Sequence, residues 1–395
     1  KYGRRAGDRI LAEIADRLRR SLRHDQMVAR LGGDEFVLAA PGMTLNAVER
    51  FCSELMAKIA MPILINEDEE ISVKTSFGVA LAPNDGETPD ELLHASDMAL
   101  SVSKQHGGGI FSYFSEEFNA KLYSKRQLTE EMRHSLTAGN FFLEYQPRFN
   151  AKTRRMESAE ALVRWSHPEK GRMGPIDFIP LAEQTGLITP LSDWILRTAC
   201  AEATKWEGVG VSVNLSPSQF NDEFLIPKVT QTLLETGLSP SLLELEITEG
   251  VLVADSHKAI AILQRLKNLG IKLSVDDFGT GYSSLSYLKN FPFDIIKIDR
   301  SFVKDLDADN NSSRPIVQAI IALGKAIGLS VTAEGVESRE QLELLIDDGC
   351  DEIQGFLLAL PSPADETLSF IIRRKKAQRL AHTPSPEPVS HSDPL

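Results

Sequence analysis

Apolar and polar positions change their spacing several times over the first 116 residues. Apolar residues at helical spacing predict a helix over 8–22, and further helices are predicted over 45–60 and 89–104. Two apolar segments flank Gly32-Gly33-Asp34-Glu35, which predicts a hairpin with two carboxylates at its turn. Another strand is predicted over 71–81. This mixed order is typical of an α+β domain.

Residues 117–138 are rich in charge with apolar residues at helical spacing, so they predict a connecting helix. From 139 to 375 the pattern becomes a repeated alternation of strand and helix. Eight strands, mostly separated by helices, predict a (β/α)₈ TIM-like barrel and therefore an α/β fold class for this part. The tail, 376–395, is poor in apolar residues and is predicted to be disordered. The eight strands are predicted at 142–147, 158–165, 209–215, 242–248, 271–275, 295–299, 330–334 and 352–357.

Nearly every predicted barrel strand carries a polar residue where a buried strand should be apolar. Any one of these residues could simply be a buried polar group paired with a neighbour. The whole set favours function, because parallel strands bring their carboxyl ends to one rim, where active sites of this fold lie. The set consists of Glu160, Asn214, Glu246, Asp276, Asp277, Lys297, Asp299, Glu334 and Gln354.

Asp276 and Asp277 are adjacent at a strand end and are followed by a glycine-containing loop. On this stretch alone a simple turn and a metal site are equally good interpretations. Carboxylate and amide oxygens without cysteine or histidine suit Mg²⁺ or Mn²⁺, and an adjacent carboxylate pair suits two ions about 4 Å apart. Lys297 would add a cation to a charged transition state. The chemistry indicated is hydrolysis of a phosphodiester.

Net charge, cysteine number and the length of apolar runs exclude several classes of protein. The net charge of -13 argues against broad nucleic-acid binding, although it allows a local cationic pocket. Three widely spaced cysteines suggest neither a disulfide framework nor a thiolate zinc site. No apolar run reaches the roughly 20 residues that span a bilayer. We therefore expect a cytoplasmic protein without a membrane segment in this chain; because the chain begins with Lys1, a membrane or sensory segment upstream stays an open alternative.

Arg30-Leu31-Gly32-Gly33-Asp34-Glu35-Phe36 is similar to the signature of the GGDEF family of diguanylate cyclases. The resemblance implies a partial, nucleotidyl-cyclase-like GGDEF domain over 1–116. The upstream strand that carries another metal-binding carboxylate in this family is absent from the chain, and the basic residue expected after Lys104 is replaced in Gly107-Gly108-Gly109. We therefore expect this part to bind GTP or to act as a regulator, and not to be an active cyclase as given.

A second resemblance, to EAL-family cyclic di-GMP phosphodiesterases, covers about 125 to 370, and the domain is assigned to 139–375. It depends on several motifs that match in order: Glu160-Ala161-Leu162-Val163-Arg164, Asn214, Glu246-Ile247-Thr248-Glu249, Asp276-Asp277-Phe278-Gly279, Lys297-Ile298-Asp299, Glu334 and Gln354-Gly355-Phe356. The resemblance implies hydrolysis of cyclic di-GMP to linear pGpG, with Mg²⁺ or Mn²⁺ as cofactor and a homodimer formed through this domain.

The same resemblance assigns roles to individual residues. Glu334, Lys297 and Glu160 are the expected catalytic residues, with Glu334 as candidate base. Glu249 is expected to anchor the loop after Asp277. The expected metal ligands are Glu160, Asn214, Glu246, Asp276, Asp277 and Glu334, and the expected substrate contacts are Gln146, Arg164, Asp299 and Gln354. Two alternatives to a phosphodiesterase stay open: a non-catalytic receptor for cyclic di-GMP or GTP, and a bifunctional cyclase and phosphodiesterase in a longer chain.

Overall fold

The computed structural model describes residues 3–66, 69–250, 256–279, 290–306 and 313–381. It divides into two compact units, Lys1–Leu128 and Thr129–Leu395. The division falls inside the helix Glu116–Ala138, which corresponds to the predicted connecting helix. Among the described residues, no helix combines the length and the apolar character that crossing a bilayer requires.

The first unit has the predicted α+β character. The second and third helices start and end close to the predicted positions, whereas the first begins at Gly3, five residues before its predicted start. The strand expected over 71–81 is split into two short strands. β1 pairs with β2 and β3 with β4 in antiparallel fashion, whereas β5 and β6 are parallel. The elements in chain order are Gly3–Ser21, β1 (Met27–Gly32), β2 (Glu35–Ala39), Leu45–Ala60, β3 (Ile63–Asn66), β4 (Glu69–Ile71), β5 (Phe77–Val79), Pro89–Gln105 and β6 (Phe111–Tyr113).

The predicted hairpin is formed by β1 and β2, and its turn is the two-glycine segment. Gly33 has a φ of 51°, in the left-handed region that glycine enters without steric cost. The Arg30 Nε donates a hydrogen bond to the Gly33 carbonyl at 3.0 Å, which closes the turn. Asp34 and Glu35 are consequently exposed at the tip.

The second unit is built on a closed barrel of eight strands, at the positions predicted from the sequence. The barrel order is β7, β8, β10, β11, β12, β13, β14 and β15, with β9 and β16 as short additions at its edges. The strands are β7 (Phe141–Asn150), β8 (Met156–His167), β9 (Gly171–Met173), β10 (Gly210–Leu215), β11 (Leu243–Thr248), β12 (Lys272–Phe278), β13 (Ile295–Ile298), β14 (Ser330–Ala333), β15 (Glu352–Gln354) and β16 (Ser362–Pro363).

Helices connect most barrel strands, as the alternating pattern predicted. Apolar strand residues such as Val211, Leu245 and Leu273 are fully or almost fully buried. The α-helices of this unit after Ala138 are Pro175–Thr185, Ile188–Ala203, Leu225–Thr236, Ser256–Asn268, Arg300–Lys304, Arg314–Ile327, Arg339–Asp347 and Ala364–Ala381. The last helix runs six residues into the segment predicted to be disordered, and 382–395 lie outside the described residues.

The first barrel strand differs from a regular (β/α)₈ barrel in its direction. β7 runs antiparallel to both of its barrel neighbours, β8 and β15. Each other pair of neighbouring barrel strands, beginning with β8 and β10 and ending with β14 and β15, is parallel. The connection 151–155 is too short for the crossover that a parallel pair needs, so only a hairpin can form. The side chains of Gln146 and Arg148 therefore enter the barrel from a reversed strand.

Candidate active site

The polar strand residues predicted from the sequence lie together inside the barrel, around the ammonium group of Lys297. Lys297 lies on β13 and its side chain is 1% exposed. Its Nζ lies 2.5 Å from Glu246 Oε2, 2.5 Å from Glu334 Oε1 and 3.1 Å from Asp276 Oδ1. Glu160 Oε2 lies farther away, at 3.9 Å. Carboxylates from three strands and from the residue directly after β14 thus surround one buried cation.

Carboxamide side chains fix the orientation of Glu160. Asn214 Nδ2 donates to Glu160 Oε1 at 2.9 Å, and Gln354 Nε2 donates to Glu160 Oε2 at 2.6 Å. Gln354 Nε2 also lies 3.2 Å from Gln146 Oε1, and Gln146 Nε2 donates to the Ala359 carbonyl at 3.3 Å. Both oxygens of Glu160 are therefore held by side chains of two other strands, β10 and β15. The structure brings together Glu160, Asn214, Gln146 and Gln354 as one hydrogen-bonded network.

A bulge at the end of β12 changes how the adjacent aspartates are presented. Neighbouring side chains of a regular strand point to opposite faces, which would separate Asp276 from Asp277. The pairing of β12 with β13 shifts register between Val275 and Phe278, and Asp277 has a φ of 54°, which is uncommon for a residue other than glycine. Partial burial of the Asp277 carboxyl and the charges of Asp276 and Asp299 raise its pKa. Asp276 is buried beside Lys297, whereas Asp277 is exposed.

The crowded carboxylates have altered proton affinities. Burial, together with the charge of Glu160, raises the pKa of Glu246 well above its usual value. Burial also raises the pKa of Glu334 to about 8, and the nearby carboxylates Asp276 and Glu160 add to this. Burial alone would lower the pKa of Lys297, but the surrounding carboxylates outweigh it and the pKa is raised. Lys297 thus stays charged, while the carboxylates lack sufficient positive charge.

The donor set fits hard divalent cations. Several buried side-chain oxygens have no hydrogen bond within the described residues: Glu246 Oε1, Asp276 Oδ1, Glu334 Oε1 and Gln354 Oε1. The single Lys297 ammonium, at 3.1 Å from Asp276 Oδ1 and 2.5 Å from Glu334 Oε1, is shared among several carboxylates. Across the described ranges no three Asp, Glu, His or Cys side chains stand in a geometry that could hold a metal ion, and the Lys297 ammonium lies among Glu246, Asp276 and Glu334. A cation would satisfy the oxygens that one lysine cannot.

A second polar layer, which the sequence did not predict, lies deeper in the barrel. Arg148 of β7 makes a two-nitrogen contact with Glu244 of β11 and lies 2.7 Å from Glu352 of β15. Since β7 and β11 are not neighbours, this contact crosses the barrel interior. Arg148 Nη1 also lies 3.9 Å from Glu246 Oε1. The sequence does contain a signal for this layer. Glu244 lies two residues before Glu246, and Arg148 lies two residues after Gln146, so each shares a strand face with a predicted site residue.

Comparison with protein families agrees with this geometry. A model described as EAL domain matches residues 129–361, and a model described as diguanylate cyclase, GGDEF domain, matches residues 1–109. The chain belongs to the EAL family. Its barrel is an EAL domain, and its first unit carries the GGDEF match, so both resemblances found in the sequence are confirmed.

Relatives of this EAL protein include signalling enzymes. The bifunctional diguanylate cyclase/cyclic di-GMP phosphodiesterase MucR of Pseudomonas aeruginosa is 40% identical over 375 residues, 94% of this chain and 54% of that protein. The cyclic di-GMP phosphodiesterase NbdA of the same species is 39% identical over 374 residues, 93% of this chain and 48% of that protein. The chain thus spans about half the length of these curated relatives.

A solved structure described as PaMucR phosphodiesterase in complex with c-di-GMP is 42% identical and has a TM-score of 0.59. It matches 61% of this chain and 99% of its own chain.

Arg164 and Asp299, two of the substrate contacts predicted for the EAL domain, each have hydrogen-bond partners within the chain. Arg164 Nε donates to Glu144 Oε2 at 2.9 Å, and its Nη1 donates to the Val163 carbonyl. Asp299 begins the helix Arg300–Lys304 and accepts a hydrogen bond from the Ser301 backbone at 3.0 Å. This contact holds Asp299 at the start of the helix. Their roles toward a substrate stay predictions.

The predicted anchor Glu249 is buried just after β11. Neither of its carboxylate oxygens has a hydrogen bond to a described residue. The loop that it was expected to hold begins at Gly279, and 280–289 lie outside the described residues. The anchoring role of Glu249 therefore stays a prediction.

Proposed function

We propose that the barrel hydrolyses cyclic di-GMP to linear pGpG with divalent cations as cofactor. The observation that carries this proposal is the group of four carboxylates, from three strands and from the residue directly after β14, that surrounds Lys297 at the end of the barrel. Phosphodiesterases of the EAL family generally depend on divalent metal ions. The similarity to MucR and NbdA, both named as cyclic di-GMP phosphodiesterases, supports the same substrate.

The residues that would hold Mg²⁺ or Mn²⁺ are the oxygen donors of this group, and the adjacent Asp276 and Asp277 suit a pair of ions. Bound cations would activate water and neutralise charge on the phosphate oxygens. The donors are Glu160, Asn214, Glu246, Asp276, Asp277 and Glu334.

The chain's own groups supply orientation and proton handling. Hydrolysis forms a bond between a water oxygen and phosphorus while the bond to the sugar oxygen breaks, and that oxygen receives a proton. Burial and the neighbouring carboxylates raise the pKa of Glu334 while no cation is bound; in its ionised form, beside bound cations, Glu334 is the candidate to accept the water proton. Lys297 stays charged and is the candidate to orient the water or stabilise the leaving oxygen. Arg164, Gln146 and Gln354 would orient the dinucleotide.

The direct test is an assay of the purified chain with cyclic di-GMP, with and without Mg²⁺ or Mn²⁺, followed by separation of the products. We expect pGpG to form only when a divalent cation is present. Tight binding of cyclic di-GMP without cleavage under all metal conditions would contradict the proposal and identify a receptor instead.

We further propose that the GGDEF part is regulatory and binds GTP. The exposed Asp34 and Glu35 at its hairpin turn support a nucleotide-linked role. Titration of GTP into the chain, with Asp34→Ala as control, tests the binding. A rise in cyclic di-GMP hydrolysis with GTP that the variant loses would support regulation. No GTP binding would contradict it.

We also propose a cytoplasmic location. Cys52, Cys200 and Cys350 are buried and form no disulfides. Burial raises the pKa of the Cys200 thiol to about 12, so this group is unreactive at neutral pH. Buried, unpaired thiols suit a reducing compartment.

The raised pKa of Glu334 predicts how stability depends on pH when divalent cations are removed. An unfolded glutamate loses its proton near pH 4.5, whereas Glu334 in the folded barrel loses it near pH 8. The folded state therefore holds more protons than the unfolded state between these values, and stability decreases as pH rises through this window. We expect the melting temperature in EDTA to decrease from pH 5 to pH 8.

Glu334→Gln is the matched variant, because it keeps the size of the side chain but cannot ionise. We expect its melting temperature to change less over the same pH range. A wild-type melting temperature that rises steadily from pH 5 to pH 8 in EDTA would contradict the prediction.

A further inference from the structure

A buried carboxylate outside the predicted site holds two arginines next to each other. Glu144 lies on β7 and is 4% exposed. Its Oε2 accepts hydrogen bonds from Arg164 Nε at 2.9 Å and from Arg172 Nη2, which lies on the short strand β9. Since both arginines reach the same oxygen, their guanidinium groups are neighbours. This group of Glu144, Arg164 and Arg172 is called the rim triad below.

The rim triad carries an excess of positive charge. One carboxylate faces two guanidinium groups, each of which keeps its charge under all ordinary conditions. Arg164 uses a further nitrogen on the Val163 carbonyl, but its Nη2 and the Nε and Nη1 of Arg172 have no hydrogen bond to any described residue. Guanidinium nitrogens that have no hydrogen bond can donate to the oxygens of a phosphate.

Two members of the rim triad lie on the same strand faces as residues of the candidate active site. Glu144 lies two residues from Gln146 on β7, on the same strand face, and Arg164 lies four residues from Glu160 on β8, also on the same face. Gln146 and Glu160 are joined through Gln354. One two-residue step along a strand covers about 7 Å. Glu144, which holds both guanidinium groups, thus lies one step from the network that holds Glu160, while the backbone of Arg164 lies two steps from Glu160.

We propose that Arg172 is a second substrate-binding arginine, which contacts a phosphodiester oxygen beside Arg164, and that Glu144 is the positioning residue that holds both. The proposal rests on the proposed function, because the ligand is taken to be the cyclic dinucleotide. A substrate with two phosphates and a site rich in carboxylates need such a cationic edge, since the barrel would otherwise repel the ligand. Arg172 is the exposed member, with 60% of its side chain accessible, so it is open to an incoming phosphate.

The test compares Arg172→Ala with wild type in steady-state hydrolysis of cyclic di-GMP. We expect KM to rise about tenfold while kcat changes less than about twofold, because the lost contact binds ligand without touching the reacting atoms. Arg172→Lys should lie between the two, since lysine keeps the charge but not the planar pair of donors. The matched control is Arg197→Ala on the helix Ile188–Ala203, where Arg197 is 63% exposed and lies 3.8 Å from Glu235. This control should keep the wild-type KM.

A double substitution tests the role of Glu144. If Glu144 holds Arg172, the effect of Arg172→Ala on KM should be much smaller in a Glu144→Gln background than in wild type. An effect of the same size in both backgrounds would overturn the positioning role. An unchanged KM in Arg172→Ala, or an equal rise in Arg197→Ala, would overturn the binding role.

Equilibrium binding separates this inference from the proposed function. Binding of cyclic di-GMP is measured in EDTA for wild type, Arg172→Ala and Arg197→Ala, so that no turnover is needed. If wild type binds the dinucleotide but never cleaves it, the proposed function fails, while a tenfold weaker affinity of Arg172→Ala alone still supports the arginine site. If Arg172→Ala binds as tightly as wild type, the inference fails whatever the activity.

Discussion

Replacing Glu160 with glutamine, or Asp276 with asparagine, is expected to lower kcat/KM for cyclic di-GMP by at least about 1000-fold. Each substitution removes one negative charge from the group proposed to hold divalent cations, and metal-assisted displacement loses its activation of water and its charge neutralisation. The side chains keep their size, so the barrel should stay folded. Steady-state hydrolysis at saturating Mn²⁺ measures the loss, and calorimetric titration of Mn²⁺ measures the accompanying loss of metal affinity.

Asp34→Ala is the control for this prediction, because it removes a carboxylate from the hairpin turn of the GGDEF part. We expect it to leave hydrolysis largely intact in the absence of GTP. Normal turnover by Glu160→Gln would show that the carboxylate group around Lys297 is not the catalytic site. An equal loss of activity in Asp34→Ala would point to a general effect of charge.

Lys297→Met is expected to have the largest effect on stability. Without the ammonium, Glu246, Asp276 and Glu334 lose the cation that they surround, and breaking buried ion pairs in this way costs about 3–5 kcal/mol in the free energy of unfolding. We expect this loss in EDTA, together with loss of hydrolysis. Added Mn²⁺ should restore part of the stability, since bound cations replace the missing positive charge. Denaturant unfolding with and without Mn²⁺ measures both effects.

Lys205→Met provides the comparison, because Lys205 is 54% exposed and pairs with Glu202 one helical turn away. Exposed pairs of this kind contribute at most about 1 kcal/mol, so its stability should stay close to that of wild type. If Lys297→Met unfolds at the wild-type denaturant concentration in EDTA, the buried lysine does not stabilise the carboxylate group.

The barrel and most of its charged interior were predictable from the sequence. Short apolar segments with a polar residue near the carboxyl end mark strands of a parallel barrel, because such strands are covered on both faces and meet at one rim. This reasoning identified Glu160, Glu246 and Lys297, which the structure brings together. The reversed direction of β7 could have been inferred from the short 151–155 connection, which permits only a hairpin.

Other features depend on contacts between distant positions, and residue spacing within one strand does not show which residues pair. The bulge at Asp277 results from a register shift against β13, and register is set by long-range pairing. Arg148 and Glu244 are separated by 96 residues, so either one appears in the sequence only as an isolated buried charge. Arg172 lies on a three-residue strand, and only the structure shows that it reaches Glu144.

The hairpin arrangement of β7 also has a consequence for how the protein is made. β7 must pair with β15 and β16, and the hydrogen bond between Gln146 and Gln354 joins positions 208 residues apart. β7, the first barrel strand to leave the ribosome, therefore cannot complete its pairing until β15 and β16 have been synthesised and the barrel can close. Pairing over such a separation is slow, because the entropy of a long loop is lost before the contacts form. During synthesis, β7 and β8 would expose an open edge that chaperones can bind until the final strands are complete.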